Sequence, residues 1–123
     1  MTERWFVIVN PISGGGKGLT DFPQISHLLR ESGINHDPVF TEHRYHATEL
    51  TVEAANRGYR KIIVVGGDGT LNEVVNGLFI QKCVEPAEVT IALISVGTGN
   101  DWIRMYGLPK QYSAVIRAIK EGY

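Results

Sequence analysis

The sequence predicts an α/β fold: a three-layer α/β/α arrangement around a mainly parallel sheet. Three observations carry this. Short apolar, β-branched runs recur along the chain, amphipathic stretches lie between them, and glycine-rich turns stand where the runs end. Strands that are apolar throughout are covered on both faces, and strand–helix alternation is the mark of parallel crossovers.

Phe6-Val7-Ile8-Val9 is the first strand. Asp21 to Ser32 reads as the first helix, with Phe22, Ile25, Leu28 and Leu29 on one face, Pro23 in the first turn and Gly33 after the end. Pro38 to Thr41 is a weaker second strand. Tyr45 to Arg57 reads as a helix stopped by Gly58, with Ala47, Leu50 and Ala54 facing inward. Ile62 to Val65 is the clearest strand. Leu71, Val74, Val75, Leu78 and Phe79 then follow helical spacing, and all five are expected on the buried face. Lys82 to Glu88 is a loop and Ile91 to Ile94 the fourth strand. Asn100 to Tyr106 is a short helix ended by Gly107 and Pro109, and Tyr112 to Glu121 is the last helix.

Composition narrows the function. The 123 residues carry 12 Lys+Arg against 13 Asp+Glu, a net charge of -1, which argues against a nucleic-acid partner or a polybasic membrane anchor. At 43% hydrophobic and 20% charged the chain is expected to fold as one domain. Cys83 alone allows neither an intrachain disulfide nor a cysteine-built zinc site. No apolar run approaches the roughly 20 residues that cross a bilayer. A soluble, cytoplasmic protein is expected, with peripheral contact at the inner membrane face left open.

The chemistry is expected where strands hand over to helices, because open parallel sheets bind ligands beyond the carboxyl ends of their strands. Three such turns are rich in glycine: 10–18, Gly66-Gly67-Asp68-Gly69-Thr70, and Gly97-Thr98-Gly99-Asn100-Asp101. Glycine lets a ligand reach backbone N–H groups, and those groups at a helix start suit phosphate. Neither G-x-x-x-x-G-K-[ST] nor G-x-G-x-x-G is present, which excludes a P-loop NTPase and a plain dinucleotide-binding dehydrogenase. Thr70-x-x-Glu73 and Thr98-x-x-Asp101 also fit a helix capping box, a purely structural role. Asp68 resists that reading: an anion between glycines where phosphate would lie calls for a cation or a protonated hydroxyl. If the Gly67 turn needs positive φ or close phosphate approach, Gly67→Ala weakens nucleotide binding. His27, His36, His43 and His46 form no convincing metal set, and no residues are picked out as metal ligands.

Val9-Asn10-Pro11-x-Ser13-Gly14, Val64-Val65-Gly66-Gly67-Asp68-Gly69-Thr70-Leu71-Asn72-Glu73-Val74-Val75-Asn76-Gly77 and Gly97-Thr98-Gly99-Asn100-Asp101 together resemble the diacylglycerol kinase catalytic domain. That family includes bacterial lipid kinases and sphingosine kinases. NAD kinases and phosphofructokinases carry a similar Gly-Gly-Asp-Gly core, so an NAD kinase/phosphofructokinase-like N-terminal domain is the fold implied. The resemblance implies an ATP site. Asn10, Ser13 and Gly14 match its first nucleotide-contacting motif, Thr41 a threonine at the end of the second strand, and Gly66 to Asn72 the phosphate loop, including Gly67, Gly69, Thr70 and Leu71, with Glu73 beside it counted as cofactor-binding. Thr98, with Asn100 and Asp101, matches a further ATP-contacting segment. Asp68 is the implied catalytic residue, serving the phosphates, the Mg²⁺ or the acceptor hydroxyl.

Ser95 stands where the family usually has proline, and Trp102-Ile103 where it often has Phe-Ala; neither removes a contacting group. The family continues into a β-rich second domain that supplies a general base, metal-binding residues and the lipid pocket. Residues 1–123 match the nucleotide-binding domain alone. The reading is therefore an ATP-dependent lipid kinase domain acting on a diacylglycerol-like hydroxyl, here its ATP-binding half, weakly active or inactive by itself. Its rivals are an NAD-kinase-like enzyme and a non-catalytic nucleotide-binding or interaction module.

Overall fold

A computed structural model describes residues 4–96 and 108–121. Their elements are β1 (Trp5–Val9), α1 (Ser13–Glu31), β2 (His36–Phe40), α2 (His46–Asn56), β3 (Lys61–Gly66), α3 (Asp68–Ile80), β4 (Thr90–Ser95) and α4 (Leu108–Glu121). A single 3₁₀ turn, Pro86–Glu88, interrupts the expected loop. The strands form one parallel sheet in the order β2-β1-β3-β4.

The continuous apolar runs have a simple cause. In β3, Ile63 and Val65 pack with α1 and α4 on one face, while Ile62 and Val64 pack with α2 and α3 on the other. β1 divides in the same way, Val7 and Val9 to the first core and Phe6 and Ile8 to the second. Alternating side chains thus feed two cores, and each buried Val, Ile or Phe contributes about 1.5–3 kcal/mol. β2 is an edge strand, where Pro38 removes no needed ladder donor. Tyr112 anchors α4 to α1: its hydroxyl donates to Asp21 Oδ2 at 2.7 Å. Burial, then that carboxylate, pushes the Tyr112 pKa up.

Four expectations change. The first helix begins well before Asp21, so Pro23 lies in its interior rather than its first turn. The stretch from Gly14 to Thr20 has no apolar period to announce a helix. Leu19 and Pro23 are both exposed, so water can take the Leu19 carbonyl that Pro23 leaves without a donor. The second strand is His36–Phe40, two residues earlier in its start than Pro38. The last helix starts at Leu108, and Pro109 opens it instead of ending its predecessor.

Phe79 is the fourth change. It is 70% exposed, while Val74 and Leu78 are buried. The packing face of α3 runs through Gly77, where an added Cβ would lie 2.7 Å from both the Thr48 carbonyl oxygen and Thr51 Cβ. Counting apolar side chains omits a glycine that makes the closest contact. Ala47, Leu50 and Ala54 face inward as expected.

One polar cluster ties the sheet edge to the end of α2. Arg4 donates to both oxygens of Asp37, at 2.9 and 2.7 Å, and the Tyr59 hydroxyl donates to Asp37 Oδ2 at 2.6 Å. These donors, Arg4 first, lower the Asp37 carboxyl to about 2. With its pKa depressed on folding, the native state holds fewer protons than the unfolded chain between the two values. The stabilisation is therefore complete above pH ~4 and is lost as pH falls through about 2. Solvent screening at this half-exposed pair keeps it under about 1 kcal/mol. Asp37→Asn is expected to cost no more than that at neutral pH and to flatten the acid limb of a urea-denaturation series. An unchanged acid limb would refute the assignment.

Candidate functional site: a cleft at the carboxyl edge of the sheet

The register aligns the turns. Val9 pairs with Phe40 on one side and Val65 on the other, and Gly66 pairs with Ser95. The chain thus leaves all four strands at one edge. From β1 it passes to the α1 face, and from β3 to the opposite face, so a crevice opens between them at the topological switch point.

Asn10 bridges that crevice. Its Oδ1 accepts the Ile12 N–H at 3.2 Å, shaping the β1–α1 turn, and its Nδ2 donates to Thr70 Oγ1 at 3.1 Å. Beyond it Gly14, Gly15 and Gly16 have φ of 62°, 69° and 99°. Three successive left-handed residues are open in practice only to glycine. Regular helix resumes at Lys17, and Gly18 presses so closely on the turn that an added Cβ would sit 1.9 Å from the Asn10 carbonyl oxygen.

The β3–α3 turn is built differently. Gly66 is buried, and a Cβ there would lie 2.8 Å from Thr70 Oγ1 and 3.2 Å from Ser13 Oγ. Gly67 is the N-cap of α3, at φ -127° and ψ -165°, and no side chain caps the helix. This extended backbone is open to any residue, which corrects the positive-φ argument for Gly67: of these two glycine-rich turns, it is the β1–α1 turn that holds left-handed glycines. The capping box also fails at Thr70, which lies inside α3 with its hydroxyl accepting from Asn10. The first amides of α3 therefore carry the positive helix end without a side-chain partner, a setting that suits an anion. Beside Gly69 a Cβ would meet nothing within 4 Å.

Asn10, Thr41, Thr70 and Glu73 line one cleft of about 380 Å³, with Pro11, Ile12, Glu42, His43 and Arg44. Ser13 and Thr70 both lie against Gly66, and Gly14 belongs to the left-handed turn. Asp68 is exposed at the first position of α3, followed by Gly69, and Asn72 is exposed one turn along. Leu71 packs on the α2–α3 core and its N–H bonds the Gly67 carbonyl, so it is no part of the cleft wall. Thr98, Asn100 and Asp101 lie outside the described residues. Glu42, His43 and Arg44 were not among the expected site residues. Their signal is positional: they follow Thr41 at the carboxyl end of β2, without a glycine run to mark them.

Among the described residues no three His, Cys, Asp or Glu side chains gather for a metal ion. No helix among them is long and apolar enough to cross a membrane. The carboxylates at hand are Glu42 and Glu73 in the cleft and Asp68 at the start of α3. One or two carboxylates with substrate phosphates form a usual magnesium site, so this donor set fits that ion.

A doubly wound parallel sheet with an anion-suited crevice at its switch point is the class that fold and cleft define. The chain belongs to the diacylglycerol kinase catalytic domain family, whose model matches residues 4–123. It is 32% identical over its whole length to a diacylglycerol kinase of Staphylococcus saprophyticus, of which it covers 39%. With sphingosine kinase B of Dictyostelium discoideum it shares 31% identity over 118 residues, 95% of this chain and 15% of that protein. A crystal structure of a diacylglycerol kinase from Bacillus anthracis superposes on 98% of this chain and 44% of its own, at a TM-score of 0.73 and 31% identity. The chain thus spans less than half the length of these relatives.

Proposed function

We propose that this domain holds the nucleotide of an ATP-dependent lipid kinase. The observation that carries the reading is the crevice itself: Asn10 joined to Thr70 across the switch point, with the uncapped start of α3 opening beside it. Each amide bonded to a phosphate oxygen contributes about 1.5–3 kcal/mol, so about three to five such bonds reach the roughly 8 kcal/mol of a micromolar site.

In this reading the amides around Gly69 and the left-handed turn at Gly14 to Gly16 receive the phosphates. Thr41 and Thr70 face the rest of the nucleotide. Asp68 and Glu73 are the carboxylates assigned to Mg²⁺. Bound ATP supplies the transferable phosphoryl group, and Mg²⁺ offsets its charge. The acceptor is a lipid hydroxyl of the kind the relatives' names carry, diacylglycerol or sphingosine. We assign the general base and acceptor pocket to the length of such kinases that this chain does not span.

Thermal denaturation tests this. ATP with Mg²⁺ at a hundredfold excess over Kd is expected to stabilise the chain by about 2.7 kcal/mol. NAD is expected to leave the midpoint unchanged. A shift with NAD alone would favour the dinucleotide-kinase reading, and no shift with either would refute a nucleotide site.

A further inference from the structure

The wall of the cleft that follows β2 is unlike the other two. It has no glycine turn, and it carries His43 and Arg44. The His43 ring lies parallel to that of His46, centroids 4.5 Å apart and planes 16° from each other. Both rings are tethered to backbone. His43 Nδ1–H donates to the Arg44 carbonyl oxygen at 2.8 Å, since a carbonyl can only accept, and the Glu42 N–H donates to His46 Nδ1 at 2.9 Å.

Between the two histidines Tyr45 sits at φ 68°, the one non-glycine left-handed residue among those described. Such a conformation is strained for a non-glycine residue and persists where surrounding structure enforces it. It makes the turn tight enough for the His46 N–H to reach the His43 carbonyl at 3.1 Å. His43 lines the cleft, and His46, stacked against one face of its ring, does not. From the β1 side the same cleft is lined by Pro11 and by Ile12, a large apolar side chain left 78% exposed.

We propose that His43, backed by His46, is the stacking platform for the nucleobase, with Ile12 closing over it from the β1 side. The inference rests on the nucleotide reading and deepens it: it assigns the base to the β2–α2 wall and the phosphates to the β1–α1 and β3–α3 turns. The flat His43 ring favours a base at that spot, while the Arg44 guanidinium on the same wall lies over the Tyr45 ring, 4.8 Å from its centroid. The His43 Nδ1–H is already given to the Arg44 carbonyl, so that ring nitrogen has no donor left for an anion. A flat aromatic face with an apolar wall nearby suits a π-system, and stacking of this kind is sequence-tolerant and strong.

Calorimetric titration with ATP and with inorganic tripolyphosphate, which lacks base and sugar, tests the assignment in wild type, His43→Ala and His43→Phe. Circular dichroism melts establish that each variant is folded. His43→Ala is expected to weaken ATP about tenfold or more and to leave tripolyphosphate within about twofold. His43→Phe is expected to restore most of the ATP affinity. Equal losses for both ligands, no loss for either, or no rescue by phenylalanine would each overturn the platform. If wild type binds tripolyphosphate as tightly as ATP, the base platform fails and the phosphate site stands. If it binds neither, both readings fall together.

Discussion

Gly18→Ala is expected to destabilise the chain by about 3 kcal/mol or more, at the upper end of what overpacking causes. The added methyl carbon would lie 1.9 Å from the Asn10 carbonyl oxygen, 3.0 Å from the Asn10 carbonyl carbon and 3.3 Å from that of Pro11. All three are backbone atoms, so no rotamer change relieves the clash. One relief is for α1 to lift from the sheet, which breaks the Leu19 N–H to Pro11 carbonyl bond at 3.1 Å. The other is for the β1–α1 turn to move, which draws Asn10 from Thr70. Either route damages the cleft as well as the fold. Urea unfolding at constant m-value measures this, and a midpoint equivalent to wild type within about 1 kcal/mol would show that the close approach is not obligatory.

Gly69→Ala is expected to do the opposite to the fold and the same to the ligand. Its Cβ meets nothing within 4 Å. In the first turn of α3, alanine restricts the unfolded chain and favours helix, a gain of up to about 1 kcal/mol. The methyl group nevertheless occupies the space through which a phosphate oxygen would reach the backbone. Losing one charge-assisted hydrogen bond corresponds to about 1.5–3 kcal/mol, roughly a 10- to 150-fold fall in ATP affinity. A melt and a titration on the same sample check both halves. Undiminished ATP affinity in a folded Gly69→Ala would place the phosphates elsewhere and remove the main support for the proposed function.

These two substitutions also show what local sequence can and cannot carry. Gly18 and Gly69 look alike in the sequence, each in a glycine-rich turn that opens a helix. One has no room for a methyl group and the other has open space around it, because one faces the end of β1 and the other does not. Thr70 makes the same point: its spacing to Glu73 reads as a capping box, yet its hydroxyl partner is Asn10, 60 positions away.

What the sequence determined by itself is the α/β class, the parallel habit and the first two glycine-rich turns. Those follow from short-range facts: β-branched runs buried on both faces, helical spacing between them, and glycines that free the backbone where a strand ends. The tertiary structure alone decided which strands are neighbours and how they register. That register placed Thr41 to Arg44 across from Asn10 and Thr70, and the packing of α3 on α2 turned Phe79 outward. The physical reason is that a cleft is made by groups far apart in the chain, and their meeting depends on packing two cores against one sheet rather than on any local preference of the residues that line it.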